Sequence, residues 1–137
     1  MRFCLLLLGL AIYGGTAYGQ LSIQKADQLY GTASFYHDKF EGRRTASGAV
    51  FRQDSLTAAH KSLPLGTRVL VTNRENTLTV EVIVNDRMSS RSPHIIDLSK
   101  NAARQLKIGR QGFAMVSIEV IPTLPQPNNP LLKAPTP

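Results

Sequence analysis

The chain has 137 residues, of which 42% are hydrophobic and 18% charged, with 10 Gly, 8 Pro, no Trp and one Cys. This length suits one globular domain, and the composition excludes a disordered, a collagen-like or a disulfide-stapled chain. Lys and Arg number 16 against 9 Asp and Glu, which gives a net charge of +7. A charge of this sign and size favours an acidic partner.

Residues 1–19 are typical of a secretory signal peptide, because an apolar run over residues 3–12 is followed by small residues before Gln20. The run is shorter than the about 20 apolar residues that cross a membrane. We therefore expect an exported mature chain, periplasmic or extracellular, that has no integral membrane segment. The only cysteine, Cys4, lies inside this leader. Its lipidation is an alternative, but we expect an unlipidated protein without thiols or disulfides.

Six of the eight prolines lie in residues 122–137, a stretch with almost no charge. That pattern predicts an extended, disordered tail. The intervening residues 20–121 are expected to form one compact, monomeric domain. Its basic residues are spread from Lys25 to Arg110 without the stripe and stacking aromatics of nucleic-acid-binding motifs, so nucleic acid is not expected as a partner. An acidic envelope polymer and a merely solubilising charge stay open as explanations.

Hydrophobic alternation with a period of two dominates the domain and predicts β-strands. In chain order, strands are expected over residues 30–36, 68–72, 77–84 and 114–120, with a hairpin loop at 73–76. One or two helical turns are expected over 54–60. A second helix begins after a Ser99 cap, with Ala102, Ala103 and Leu106 on one face. The predicted fold is mainly β, a small closed barrel with short helical connections.

Asp86 is the first candidate for chemistry, because it continues the inward series of Val82 and Val84 at the end of a strand. A carboxyl at a barrel rim can carry a proton, whereas an ion pair with Arg87 is the structural alternative. His60 either orients such a carboxylate or is a buried, hydrogen-bonded histidine.

Asp97 either reaches the same site or caps the helix beside Ser99, and capping is the usual role of an Asp in that position. The three histidines and the aspartates near them lack the ligand spacing of zinc motifs, so no metal is predicted. The sequence has no phosphate-binding glycine loop and no Gly-x-Ser-x-Gly motif. Nucleotide and esterase chemistry are therefore unsupported, and no cofactor is expected.

An ordered series of motifs over residues 30–121 resembles the rare lipoprotein A family. The motifs are GTASFY at 31–36, FEGRRTASG at 40–48, LTAAHKSLPLGT at 56–67, VTN at 71–73, VNDR at 84–87 and IIDLS at 95–99. The resemblance implies a six-stranded double-psi β-barrel. It also implies a peptidoglycan lytic transglycosylase, a lyase that cleaves glycan strands between N-acetylmuramic acid and N-acetylglucosamine and leaves 1,6-anhydro ends. A non-lytic, expansin-like binding module is the alternative.

The resemblance also implies roles for individual residues. Asp86 would be the catalytic acid and base, and His60 its polar partner. The implied substrate-binding residues are Thr57, Asn85, Arg87 and Tyr36.

The sequence departs from the family pattern at several positions, and two of these departures remove acidic residues. Ala49 and Arg52 stand where the family usually has a Glu and, three residues later, an Asp. Two acidic residues of the implied site are therefore missing, and altered specificity or weak activity is expected.

Overall fold

The computed structural model describes residues 28–123, so the predicted leader and nearly all of the predicted tail lie outside it. Within that range the strands are β1 Gln28–Phe35, β2 Thr57–His60, β3 Arg68–Asn73, β4 Thr79–Arg87, β5 Ile96–Leu98 and β6 Phe113–Val120. A 3₁₀ turn, Asp38–Phe40, follows β1, and the helix α1, Lys100–Gln105, precedes β6. No helix of the described part is long and apolar enough to span a membrane.

The six strands close into a barrel in the order β1-β5-β2-β4-β3-β6. β1 pairs with β5 and β2 with β4 in parallel, and the other neighbours are antiparallel. The mainly β, six-stranded barrel expected from the sequence is thereby confirmed. Closure also gives every strand two hydrogen-bonded neighbours, which removes free sheet edges.

The barrel interior is filled by the alternate residues that the period of two identified. β4 buries Val80, Val82 and Val84, and β6 buries Val116 and Ile118. Burying one such side chain contributes about 1.5–3 kcal/mol. The alternation therefore both predicts these strands and supplies their packing energy.

The predicted helix is also confirmed. The Ser99 side chain accepts a hydrogen bond from the Ala102 N–H at the start of α1, which satisfies one of the otherwise unpaired donors of the first turn. Ala102, Ala103 and Leu106 are all buried against the barrel. The helix thus adds its apolar face to the core.

The helical turns predicted over residues 54–60 are wrong. Thr57–His60 forms β2, which pairs with β4 on one side and with β5 on the other. Ala58 and Ala59 favour helix locally, but both lie buried in a strand. Pairing with two strands that are distant in sequence therefore determines the conformation of residues 57–60 and overrides their local helix propensity.

Candidate active site

Four residues face one another across four adjacent strands on the outer side of the barrel. Ser34 of β1 is opposite Asp97 of β5, Asp97 is opposite Ala59 of β2, and Ala59 is opposite Asp86 of β4. We call this set the polar row. It lines a cleft of about 420 Å³ whose further walls include Tyr36, His37, Phe40, Arg87, Met88 and Ser92. Two carboxylates therefore share one cleft, with only a methyl group between them on the intervening strand.

Asp86 reaches this cleft because of a break in strand register. Ala58 pairs with Val84, but the next residue, Ala59, pairs with Asp86, so Asn85 is an extra residue in β4. A bulge of this kind reverses the side-chain alternation. Asp86 therefore lies on the outer face of the barrel, and the prediction that it continues the inward series of Val82 and Val84 is wrong.

Three donors hold the Asp86 carboxylate. The Tyr36 hydroxyl donates to Oδ2 at 2.6 Å. The backbone N–H groups of Ala46 and Arg87 both donate to Oδ1, each at 2.8 Å. Hydrogen bonds are directional, so three contacts shared between the two oxygens fix the orientation of the Asp86 carboxyl group.

Tyr36 is fixed in turn by its aromatic neighbours. Its ring lies 4.3 Å from the ring of Phe51 and 5.7 Å from that of Phe40, measured between centroids. Burial above all, and then the hydrogen bond to Asp86 and the negative charges of Asp86 and Asp97, raise the pKa of Tyr36 well above its ordinary value. The hydroxyl therefore stays protonated and acts as a donor at physiological pH.

Asp97 lies in the cleft and accepts a hydrogen bond from the Ser34 hydroxyl. The capping role, which the sequence favoured for it, is wrong because Ser99 alone supplies the cap side chain of α1. Asp97 is thus the cleft residue that sequence reasoning undervalued. Its parity within IIDLS, opposite to buried Ile96 and Leu98, was the available signal.

The structure does not bring the His60 ring to Asp86. His60 is opposite the buried Ile96, and its Nδ1 accepts the backbone N–H groups of Ser62 at 3.1 Å and Leu63 at 3.0 Å. Burial, followed by the positive charges of Arg87 and Lys61, lowers the pKa of His60. These contacts match the alternative of a buried, hydrogen-bonded histidine, and the catalytic partnership of His60 stays a prediction.

Not all of the other predicted substrate-binding residues line the cleft. Arg87 lines the cleft, with its side chain exposed. Asn85 is the bulge residue, and its carbonyl accepts the Ser47 N–H at 3.1 Å. Thr57 lies outside the cleft lining, and its Oγ1 is a buried side-chain atom without a hydrogen-bond partner within the range 28–123. Only Arg87 and Tyr36 of the predicted binding set thus line the cleft.

The two departures that remove acidic residues lie on or beside a hairpin over residues 42–51, closed by a bridge between Arg44 and Val50. The Arg52 guanidinium is 3.6 Å from the Glu41 carboxylate at the base of this hairpin. Neither Ala49 nor Arg52 lines the cleft. The carboxylates in the cleft are therefore those of Asp86 and Asp97.

Between residues 28 and 123, no three His, Cys, Asp or Glu side chains are grouped closely enough to hold an ion. The side chains that line the described cleft supply carboxyl, hydroxyl, imidazole and guanidinium groups.

A closed six-stranded barrel with a carboxylate cleft on its outer face defines this chain as a small double-psi β-barrel protein. The chain belongs to the family described as "Lytic transglycolase", whose profile matches residues 28–118. The family resemblance predicted from the motifs is thereby confirmed.

Two curated relatives carry the name "Endolytic peptidoglycan transglycosylase RlpA". The one from Pasteurella multocida is 50% identical over 91 residues, covering 66% of this chain and 31% of the relative. The one from Campylobacter jejuni is 42% identical over 107 residues, covering 78% of this chain and 39% of the relative. The chain therefore spans about a third of the length of these relatives.

Two solved structures share the fold. Streptomyces papain inhibitor superimposes with a TM-score of 0.58 at 23% identity, covering 73% of this chain and 99% of the inhibitor. The apo expansin of Clavibacter michiganensis gives a TM-score of 0.55 at 23% identity, covering 74% of this chain and 54% of the expansin. At this identity the likeness establishes the fold alone.

Proposed function

We propose that this chain is a lytic transglycosylase that cleaves the peptidoglycan glycan strand between N-acetylmuramic acid and N-acetylglucosamine. The observation that carries the proposal is the Asp86 carboxylate, held in an open cleft by three donors and accompanied by Asp97. Membership of the lytic transglycolase family supplies the reaction class.

The proposed reaction needs one proton carrier and no water. Asp86, in its acid form, protonates the glycosidic oxygen as the bond from that oxygen to the muramic C1 breaks. The muramic C6 hydroxyl then bonds to C1 and returns its proton to the Asp86 carboxylate, which closes the 1,6-anhydro ring. A placed carboxyl contributes about 10²- to 10⁴-fold by such proton transfer.

The remaining cleft groups support this step. The Asp97 carboxylate stabilises positive charge on the sugar ring across the polar row, since fixed charges act strongly in a partly desolvated site. Tyr36 orients Asp86, and Arg87 at the cleft wall binds polar substituents of the sugar. In this proposal Thr57, Asn85 and His60 shape the strands beneath the cleft.

The setting of the reaction follows from the sequence. The leader over residues 1–19 supports export to the periplasm or beyond. In this proposal the exported protein carries no lipid on Cys4 and acts on peptidoglycan as a monomer. The high positive charge suits an acidic envelope polymer.

A non-lytic, expansin-like binding module is the second candidate. The observation that favours it is the replacement of two acids of the family pattern by Ala49 and Arg52, the latter paired with Glu41. Glycan binding without cleavage would then persist in the same cleft.

The two functions are separated by incubating the purified protein with peptidoglycan sacculi and measuring anhydro-muropeptides by mass. We expect release by the parent, and a loss of orders of magnitude in Asp86→Asn with sacculus binding retained. The matched control is Asp54→Asn, which removes an exposed carboxylate outside the cleft lining and should leave the rate unchanged. Parent-level release by folded Asp86→Asn would remove Asp86 from catalysis.

A parent that binds sacculi but releases nothing would instead support the binding module. The restoring variant is then Ala49→Glu with Arg52→Asp, which reinstates both acids of the family pattern. Release by this variant would identify the missing acids as the cause.

A further inference from the structure

The outer face of β1 and β6 carries an exposed strip of Tyr30, Met115 and Phe113, which we call the aromatic strip. Their exposed fractions are 55%, 43% and 45%. In the antiparallel register Tyr30 is opposite Ser117, while Met115 and Phe113 are opposite Thr32 and Ser34. All these side chains therefore point away from the barrel core, on one continuous sheet face.

The aromatic strip begins where the cleft ends. Phe113 is directly opposite Ser34, and Ser34 lines the cleft and donates to Asp97. The ring of His94 lies against that of Phe113 at a centroid distance of 6.3 Å. His94 Nδ1 is also 2.8 Å from the Thr32 hydroxyl. A polymer that occupies the polar row would meet Phe113 next as it leaves the cleft on this side.

The dimensions and chemistry of the strip suit a sugar chain. From Ser34 to Tyr30 the strip runs four residues along β1, about 13 Å at the rise of a strand. Phe113 and Tyr30 offer ring faces at the two ends, which suit the apolar C–H face of a sugar. The Ser117 hydroxyl between them can hydrogen-bond its hydroxyl groups, and the Thr32 hydroxyl keeps a lone pair for the same purpose beside its contact with His94 Nδ1. The Arg74 guanidinium lies 5.0 Å from the Tyr30 ring centroid and holds this ring by a cation–π contact at the end of the strip away from the cleft.

We infer that the aromatic strip is an accessory glycan-binding surface, which holds the part of the strand that extends beyond the cleft. This inference rests on the proposed function, because that function puts a glycan in the polar row. The ligand is a long stretch of the glycan strand, whose sugar rings stack on the exposed aromatic side chains. A surface for a protein partner or for a second copy of this chain is the competing outcome.

The test compares strand lengths. Binding of size-fractionated, peptide-free glycan strands is measured in an Asp86→Asn background, so that no strand is cut. For Tyr30→Ala combined with Phe113→Ala, the Kd for long strands should rise about tenfold, because two stacking faces are lost. The Kd for strands short enough to fill only the cleft should stay unchanged.

Two control variants accompany it. Ile83→Ala removes an equally exposed apolar side chain, at 45%, from β4 and should change neither Kd. Phe113→Tyr with Tyr30→Phe keeps both ring faces and should bind long strands like the background protein. Melting temperatures within those of the controls show that the alanine variant is folded.

Several results would overturn the inference. These are an unchanged Kd for long strands, an equal loss for both lengths, or a variant whose only change is in self-association. Absence of binding to either length by the background protein would also overturn it. The proposed function is tested separately, by measuring the anhydro ends that the parent protein releases. Binding of long strands without such release would contradict the proposed function but would still support the glycan-binding role of the aromatic strip.

Discussion

At the scale of single residues, His60 links the fold to pH. Its Nδ1 accepts two backbone N–H groups, so the ring can be protonated there only by losing both hydrogen bonds. Burial and the nearby Arg87 and Lys61 charges lower its pKa in the folded state. The unfolded chain, with a His pKa of about 6.5, therefore binds more protons in mild acid than the folded chain does.

The first prediction follows from this difference in proton binding between the unfolded and the folded chain. The stabilising contribution of neutral His60 should be complete above about pH 6.5 and be lost as the pH falls below it. His60→Asn keeps an acceptor for the Ser62 and Leu63 N–H groups without the titration. Urea unfolding at several pH values should therefore show a shallower loss of stability in acid for the variant. A steeper loss in the variant would mean that His60 gains a proton on folding, as an ion pair with a carboxylate would require.

Thr57 carries the second prediction at this scale. Its buried Oγ1 has no partner among the side chains and backbone of the described range, and an unsatisfied buried hydroxyl costs about 1–3 kcal/mol. Thr57→Val should therefore raise the free energy of unfolding by about 1 kcal/mol. Glycan affinity should stay the same. A Thr57→Val variant that is more stable but binds glycan more weakly would instead support the predicted contact between Thr57 and the substrate.

At the scale of elements, β1 depends on a close approach between Gly31 and Ile95. A Cβ added to Gly31 would lie 2.6 Å from Ile95 Cγ2 and 3.1 Å from Cγ1. Gly31→Ala must therefore displace the Ile95 side chain, which packs against the core, at a cost of about 1–3 kcal/mol.

This third prediction is best measured as a double-mutant cycle by urea unfolding. With Ile95→Ala the obstructing atoms are gone, so the losses for Gly31→Ala and Ile95→Ala should sum to more than the loss of the double variant. Additive losses would show that the two side chains do not compete for the same space.

The elements also differ in how far the sequence predicts them. β3, β4 and β6 alternate strongly because one face of each fills the core, and α1 has its own cap, so local patterns suffice. β2 and β5 are short strands of four and three residues inside the barrel. Their conformation comes from neighbours distant in sequence, which no local pattern contains.

The candidate site shows the same division. Motifs identified Asp86 and Tyr36, and both lie in the cleft. The face that Asp86 occupies depends on the extra residue Asn85, which is visible only against the partner strand β2. Asp97 enters the cleft by its pairing with Ser34 and Ala59 on two other strands. The sequence alone therefore does not show which residues of neighbouring strands lie opposite one another, because this register is fixed only when the barrel closes.

At the scale of the whole molecule, the barrel closes because β1 pairs with β6. β1 and β6, the first and last strands of the range 28–123, pair along seven residue positions. β6 also pairs with β3 as far as Val69 and Val120. Beyond that ladder the Ile121 N–H donates to the Arg68 carbonyl at 2.9 Å. Every pairing of β6 is thus complete by Ile121.

The last prediction is that the barrel folds without the segment that follows Ile121. Its prolines cannot donate ladder hydrogen bonds, and the sequence there has few apolar residues to bury. Truncation after Ile121 should shift the melting temperature by less than about 2 °C. The control truncation after Ser117 also removes the fully buried Ile118 and the end of the β3 pairing, and should unfold the protein or lower its melting temperature sharply. A fall of more than about 4 °C for the first truncation corresponds to about 1 kcal/mol in a domain of this size, and would show that the tail packs on the barrel.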